Sequence, residues 1–93
     1  MPDETTAREQ MAEHRGQIDA LDKQLVALLN ERAGHSLAIR KLKPTLGLNV
    51  YDPAREEQIF ARVAGYSEGP LTAEGLREIY AALLKVMKET PAA

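Results

Sequence analysis

A chain of 93 residues has room for one domain. A net charge of -2 gives no polybasic footprint for nucleic acid, and 4% aromatics with no Trp give no platform for stacking bases. There is no cysteine for a disulfide framework, the first ten residues lack the apolar core of a signal peptide, and no apolar run approaches a membrane span. The expected setting is the cytoplasm, with neither nucleic acid nor membrane as partner.

Gly and Pro cluster at 44–53 and 65–70 and cut the chain into three segments, each with helical periodicity. The first is predicted from about Arg8 to Lys43, leaving 1–8 as a tail. Met11, Ile18, Leu25 and Ile39 repeat on one heptad position, and Leu21, Leu28 and Leu42 on another. Leu29 and Leu37 widen the stripe. Lys43 precedes Pro44, which disfavours helical dihedrals and ends the segment.

The second segment has Asp52 as its expected N-cap and Pro53 in the first helical position. Ile59, Phe60 and Val63 follow at helical spacing, and Gly65 is the expected stop. The third opens on Thr72 as N-cap, with Leu71 and Leu76 at staple positions. Leu76, Ile79, Tyr80, Leu83, Leu84 and Met87 form its apolar face, and Pro91 closes it. The fold class is therefore all-α, one domain over 1–93 with three helices.

The first helix is long for a single chain of this size. About 36 residues span roughly 54 Å, whereas a compact chain of this length has a radius of gyration of about 12 Å. Its stripe would face water. A second copy alongside, joined by a coiled-coil-like seam, is the simplest cover, so a homodimer is expected.

Charges interrupt the stripe. Arg32 shares the heptad position of Met11, Ile18, Leu25 and Ile39, Lys43 projects onto the same face, and Arg15 lies near its edge. A guanidinium in an apolar seam needs an anion. A buried carboxylate, outward snorkelling or a register-setting role would each satisfy Arg32 without any ligand. Arg15 alone reads as surface, and Lys43 as an ordinary helix end. Yet Arg32 and Lys43 are eleven residues apart, about 16 Å along a helix, which leaves a gap suited to a small anion. Asp52, Arg55 and Glu56 add charge at the start of the second helix, where a solvated cap with local ion pairs is the plain alternative. His14 and His35 are too far apart on one helix, about 31 Å, to share a metal ion. No metal or other cofactor is expected.

The run I-D-x-L-D-x-x-L-x-x-L-L-x-E-R over 18–32, then I-R-K-L-K over 39–43, then G-L-N-V-Y-D-P-A-R-E over 47–56, resembles the all-helical (type II) chorismate mutases. The resemblance extends more loosely through the third helix, covering about 11–90. It implies an intertwined helical homodimer with two active sites that rearrange chorismate to prephenate in aromatic amino-acid (shikimate-pathway) biosynthesis. It assigns Arg15, lent by the partner chain, and Arg32 to the substrate carboxylates. Lys43 goes to the ether oxygen and a carboxylate, Asp52 (through its backbone) and Glu56 to the substrate hydroxyl, and Arg55 to a supporting place. Lys43, Arg32 and Glu56 are the catalytic candidates. No nucleophile, metal or proton relay is implied: the protein has only to restrain a flexible dicarboxylate and aim positive charge at an oxygen that gains negative charge.

One departure stands out. The family places Gln or Glu late in the third helix as a second contact to the ether oxygen, and an ungapped alignment puts Pro91 there. It also puts Met87 where a small polar residue often meets a carboxylate. Lys88 and Glu89 lie nearby without aligning. The loss of one such donor costs about 3 kcal/mol of transition-state stabilisation. Related substrates (isochorismate, 4-amino-4-deoxychorismate) and a non-catalytic helical dimerisation or regulatory module, working beside another shikimate-pathway enzyme, are the alternatives. The D-P-A-R-E run with Glu56 favours a substrate bearing a hydroxyl.

Overall fold

A computed structural model describes residues 3–92. Its elements are α1 (Glu4–Leu42), a short 3-10 turn (Lys43–Leu46), α2 (Pro53–Tyr66) and α3 (Ala73–Glu89), with no strand among the described residues. Residues 1–34 and 35–93 form two compact units. No described helix is long and apolar enough to cross a membrane.

In the first unit, α1 starts four residues earlier than the sequence reading expects, so residues 4–8 are helical rather than tail. Met1 and Pro2 of that tail lie outside the described residues. The reason is Asp3, an N-cap whose carboxylate accepts a 2.8 Å hydrogen bond from the Thr6 N–H. That bond holds the Asp3 carboxyl below the usual aspartate range. A depressed acid stabilises the folded end at neutral pH and loses that contribution as pH falls through its own titration. The Arg8–Glu4 pair at 2.8 Å is well exposed and contributes little. No residue of α1 is buried, and its stripe is open: Ile18 is 53% and Leu28 62% accessible.

The second unit begins with the last turns of α1. Its helical geometry ends at Leu42, and Lys43 is the first residue of the 3-10 turn, not the last of the helix. Pro44 near the start of that turn has no N–H to leave unsatisfied. Gly47 closes it with φ 69, its N–H reaching the Pro44 carbonyl at 3.1 Å, while the Leu48 N–H reaches the Lys43 carbonyl at 2.9 Å. A side chain at 47 would meet no atom within 4 Å, so what requires glycine is the left-handed backbone, not lack of space.

Asp52 and Thr72 cap α2 and α3 as expected. Asp52 accepts from the Arg55 N–H, and Thr72 from the Gly75 N–H, both at 3.0 Å. α2 runs past Gly65 to Tyr66, because Gly65 does not take the left-handed conformation of a glycine stop and Ser67 turns extended instead. The Ser67 hydroxyl then donates to the Leu71 carbonyl at 2.7 Å, closing the loop before α3.

α2 packs on α3. Val63, Leu84 and Met87 are the buried hydrophobics, surrounded by half-buried Ile59, Phe60, Leu76, Tyr80 and Leu83. Arg77 of α3 stacks over the Phe60 ring at 4.5 Å and pairs with Glu57 at 2.8 Å. The end of α1 is tied to the end of α3 by Arg40. Its Nη1 donates to the Thr90 carbonyl at 2.7 Å, and its Nη2 to the carbonyls of Met87 at 2.7 Å and Lys88 at 3.0 Å. These are carbonyls that a helix C-terminus leaves unpaired, and a cation there also opposes the helix dipole.

Arg40→Ala removes this clamp. The expected loss is about 1.5–3 kcal/mol, the range for hydrogen bonds from a charged donor, read from urea unfolding at one fixed protein concentration. An unchanged midpoint would show that the clamp is replaceable by water.

Candidate active site

Of the residues singled out by sequence, Arg15 and Arg32 lie in the 1–34 unit. Arg15 is exposed on α1 and Arg32 is half-buried. A shallow recess beside Arg15 is lined by Glu4, Ala7, Arg8, Met11 and Ala12. All of these belong to one helix, so the recess is an open surface that encloses nothing.

Lys43, Asp52, Arg55 and Glu56 lie in the 35–93 unit. Lys43 is half-buried at the head of the 3-10 turn, and its Nζ donates to the Val50 carbonyl at 2.7 Å. This bond spans the loop and brings the ammonium to the chain two residues before Asp52. An ammonium has three donors, so one bond to Val50 leaves two for a ligand. Asp52, Arg55 and Glu56 share the first turn of α2. The Asp52 carboxylate is occupied by its cap bond to the Arg55 N–H, and its carbonyl accepts from the Glu56 N–H at 3.1 Å.

Glu56 is half-buried, its side chain 22% accessible. It does not stand alone. Lys88 reaches across from α3 and places Nζ 3.0 Å from Glu56 Oε2, over the Tyr51 ring at 4.7 Å from its centroid. Spacing along the chain gives no sign of this contact, because it depends on how α2 and α3 cross. Arg40 was missed for the same reason: its partners lie about fifty residues further on.

The two anomalous positions of α3 are also resolved. Met87 is buried at 6% accessibility and belongs to the α2–α3 core. α3 ends at Glu89, and Pro91 lies exposed beyond it with no side-chain donor. Among the described residues no group of three or more His, Cys, Asp or Glu side chains could hold a metal ion.

This unit gathers a loop-anchored ammonium, a helix N-terminus and a partly enclosed carboxylate neutralised by a lysine. Such a set suits a small molecule bearing both anionic oxygens and a hydroxyl.

Comparison with known proteins bears on that class. The family described as chorismate mutase type II matches residues 14–90. The bifunctional chorismate mutase/prephenate dehydratase of Neisseria gonorrhoeae is 39% identical over 75 residues, covering 81% of this chain and 20% of that protein. The chorismate mutase of Methanocaldococcus jannaschii is 34% identical over 55 residues, covering 59% of this chain and 56% of that one. The chain thus spans about a fifth of the length of the first relative and just over half of the second. Among solved structures, form II of the Thermus thermophilus chorismate mutase matches with a TM-score of 0.83 at 28% identity, over 90% of this chain and 99% of that one. The Helicobacter pylori chorismate mutase, solved in complex with prephenate, matches with a TM-score of 0.79 at 30% identity, over 87% and 88%.

Asp52→Ala should remove the α2 cap and cost about 1 kcal/mol of stability, whereas Asp52→Asn should retain most of it. Thermal unfolding followed by circular dichroism measures both. Equal losses from the two substitutions would mean that the charge, not the cap bond, holds the helix start.

Proposed function

Because the chain belongs to the type II chorismate mutase family, we propose that it rearranges chorismate to prephenate. The observation that carries this reading is the extent of the match. Residues 14–90 take in every candidate site residue, from Arg15 through Arg32 and Lys43 to Asp52, Arg55 and Glu56. The prephenate bound by the Helicobacter pylori relative supports a dicarboxylate ligand of this kind.

The reaction is unimolecular. The bond between the ring carbon and the ether oxygen of chorismate breaks as a new C–C bond forms and the enol C–O becomes a ketone, with no atom gained or lost, so the protein needs neither nucleophile nor proton transfer. Breaking the C–O bond builds negative charge on the ether oxygen. Lys43 meets that charge with its remaining donors, and its bond to Val50 means little reorganisation as the charge grows. Arg32 and an Arg15 from a second chain hold the two carboxylates in the reactive shape, their planar forks matching carboxylate geometry. Glu56 accepts from the substrate hydroxyl through the oxygen that Lys88 does not occupy, a backbone N–H at Asp52 adds a second contact, and Arg55 supports the carboxylate side.

A homodimer completes the proposal. The exposed stripe of α1, with Ile18, Leu21, Leu25 and Leu28 all open, supports a second copy as its cover. Prephenate dehydratase, fused to the mutase in the Neisseria gonorrhoeae relative, is the kind of enzyme to receive the product.

One observation favours a second reading, a non-catalytic helical module. With Met87 buried and Pro91 beyond the helix, α3 presents neither of the family's usual polar contacts at those positions.

Purified protein should consume chorismate with prephenate as the product identified by chromatography. Lys43→Ala should lower kcat/KM by at least about a hundredfold, as removal of a transition-state donor does. No turnover of chorismate, isochorismate or 4-amino-4-deoxychorismate by the folded protein selects the non-catalytic module. In sedimentation equilibrium the wild type should be a dimer and Leu21→Glu should shift it toward monomer, since a charge buried in an apolar seam is strongly unfavourable. A wild-type monomer would remove the dimer from the proposal.

A further inference from the structure

We infer that Lys88 is a positioning residue of this site: it fixes the Glu56 carboxylate and offsets its charge, so that a dianionic substrate can sit beside it. The inference rests on the function proposed above and adds a residue to it.

Three observations lead there. The Lys88 ammonium is 3.0 Å from Glu56 Oε2, in a pair whose side chains are 40% and 22% accessible, more withdrawn from water than the Arg77–Glu57 or Arg8–Glu4 pairs. The same ammonium stands 4.7 Å from the centre of the Tyr51 ring, so it touches residues on both sides of Asp52. Its backbone is held as well, because the Lys88 carbonyl is one of the three that Arg40 grips.

The flanking positions 87, 89, 90 and 91 (Met, Glu, Thr and Pro) offer no cation. The Thr90 hydroxyl donates back to the Val86 carbonyl at 2.8 Å, Met87 is in the core, and Pro91 has no donor. Lys88 is the cation that α3 delivers to Glu56.

The electrostatic logic follows from the substrate class. A bare glutamate beside a dicarboxylate repels it, and a partly enclosed site screens that repulsion less than bulk water does. Lys88 makes the local pair neutral. It occupies Oε2, leaving Oε1 to accept from a hydroxyl, and so sets the direction in which Glu56 faces. Lys88 therefore acts through Glu56, and its value depends on the Glu56 charge.

That dependence supplies the test. Wild type, Lys88→Met, Lys88→Arg, Glu56→Gln and the double variant Lys88→Met/Glu56→Gln are compared for KM and kcat with chorismate, and for prephenate affinity by calorimetry. Lys88→Met should raise KM about tenfold while kcat changes much less, the signature of lost ground-state binding. Lys88→Arg should restore most of the loss. In the Glu56→Gln background, Lys88→Met should have little further effect, because the charge it offsets is gone. A KM for Lys88→Met close to wild type overturns the inference, as does an equal penalty with and without the Glu56 charge. If wild type leaves chorismate unchanged, the proposed function fails, and prephenate titrations still decide Lys88. Affinity weakened about tenfold by Lys88→Met, only when Glu56 is charged, upholds it. Equal affinities, or no binding by wild type, overturn it.

Discussion

Shortage of buried apolar surface governs this chain. Among the described residues Val63, Leu84 and Met87 are the buried hydrophobics, and the longest element, α1, buries none of its residues. Hydrophobic burial is the main favourable term in folding and scales with area removed from water. A chain that withdraws so little has two remedies. Polar ties fasten helix to helix: Arg77 to Glu57, Lys88 to Glu56, and Arg40 to the last carbonyls of α3. The apolar stripe of α1 remains available to a partner. The proposed dimer and the proposed chemistry then share one cause, since a seam that needs a second chain is also where an arginine from that chain can enter a site.

The polar ties and the candidate site use the same parts of the 35–93 unit. Lys43 sits where α1 gives way to a tighter turn, Asp52 to Glu56 sit where α2 begins, and Lys88 sits where α3 ends. Helix termini carry unpaired backbone groups and concentrated partial charge, and charged side chains gather there at low cost. Lys43 also stitches its own loop shut through Val50. A charge anchored before any ligand arrives needs less rearrangement when it is used, which is how electrostatic catalysis gains over water.

Much of this was legible in the sequence, wherever the determinant is local. Asp52 followed by Pro53, and Thr72 three residues before Gly75, announce two helix starts through capping chemistry that involves only neighbours. The start of α1 was misjudged although its signal was present, because Asp3 ahead of Glu4 is the same kind of cap. Gly65 misled in the opposite direction, since a glycine stops a helix only when it takes the left-handed conformation. Pro44 marked the right place but not the form of the break, a 3-10 turn that moves Lys43 out of the α-helix. Of the candidate site, the residues in short motifs were proposed from pattern. Arg40 and Lys88 were not, because each gains its meaning from a contact between distant segments, which no periodicity encodes.

Arg40 grips backbone carbonyls, and every amino acid supplies the same carbonyl. The grip is therefore blind to which side chains stand at 88 and 90, provided the helix still ends there. A lineage, or a mutant library, that exchanges the group α3 holds out toward Glu56 gives up the Lys88 pair but keeps the Arg40 grip on α3. That makes the end of α3 a place where a new side chain can be tried while the Arg40 grip holds.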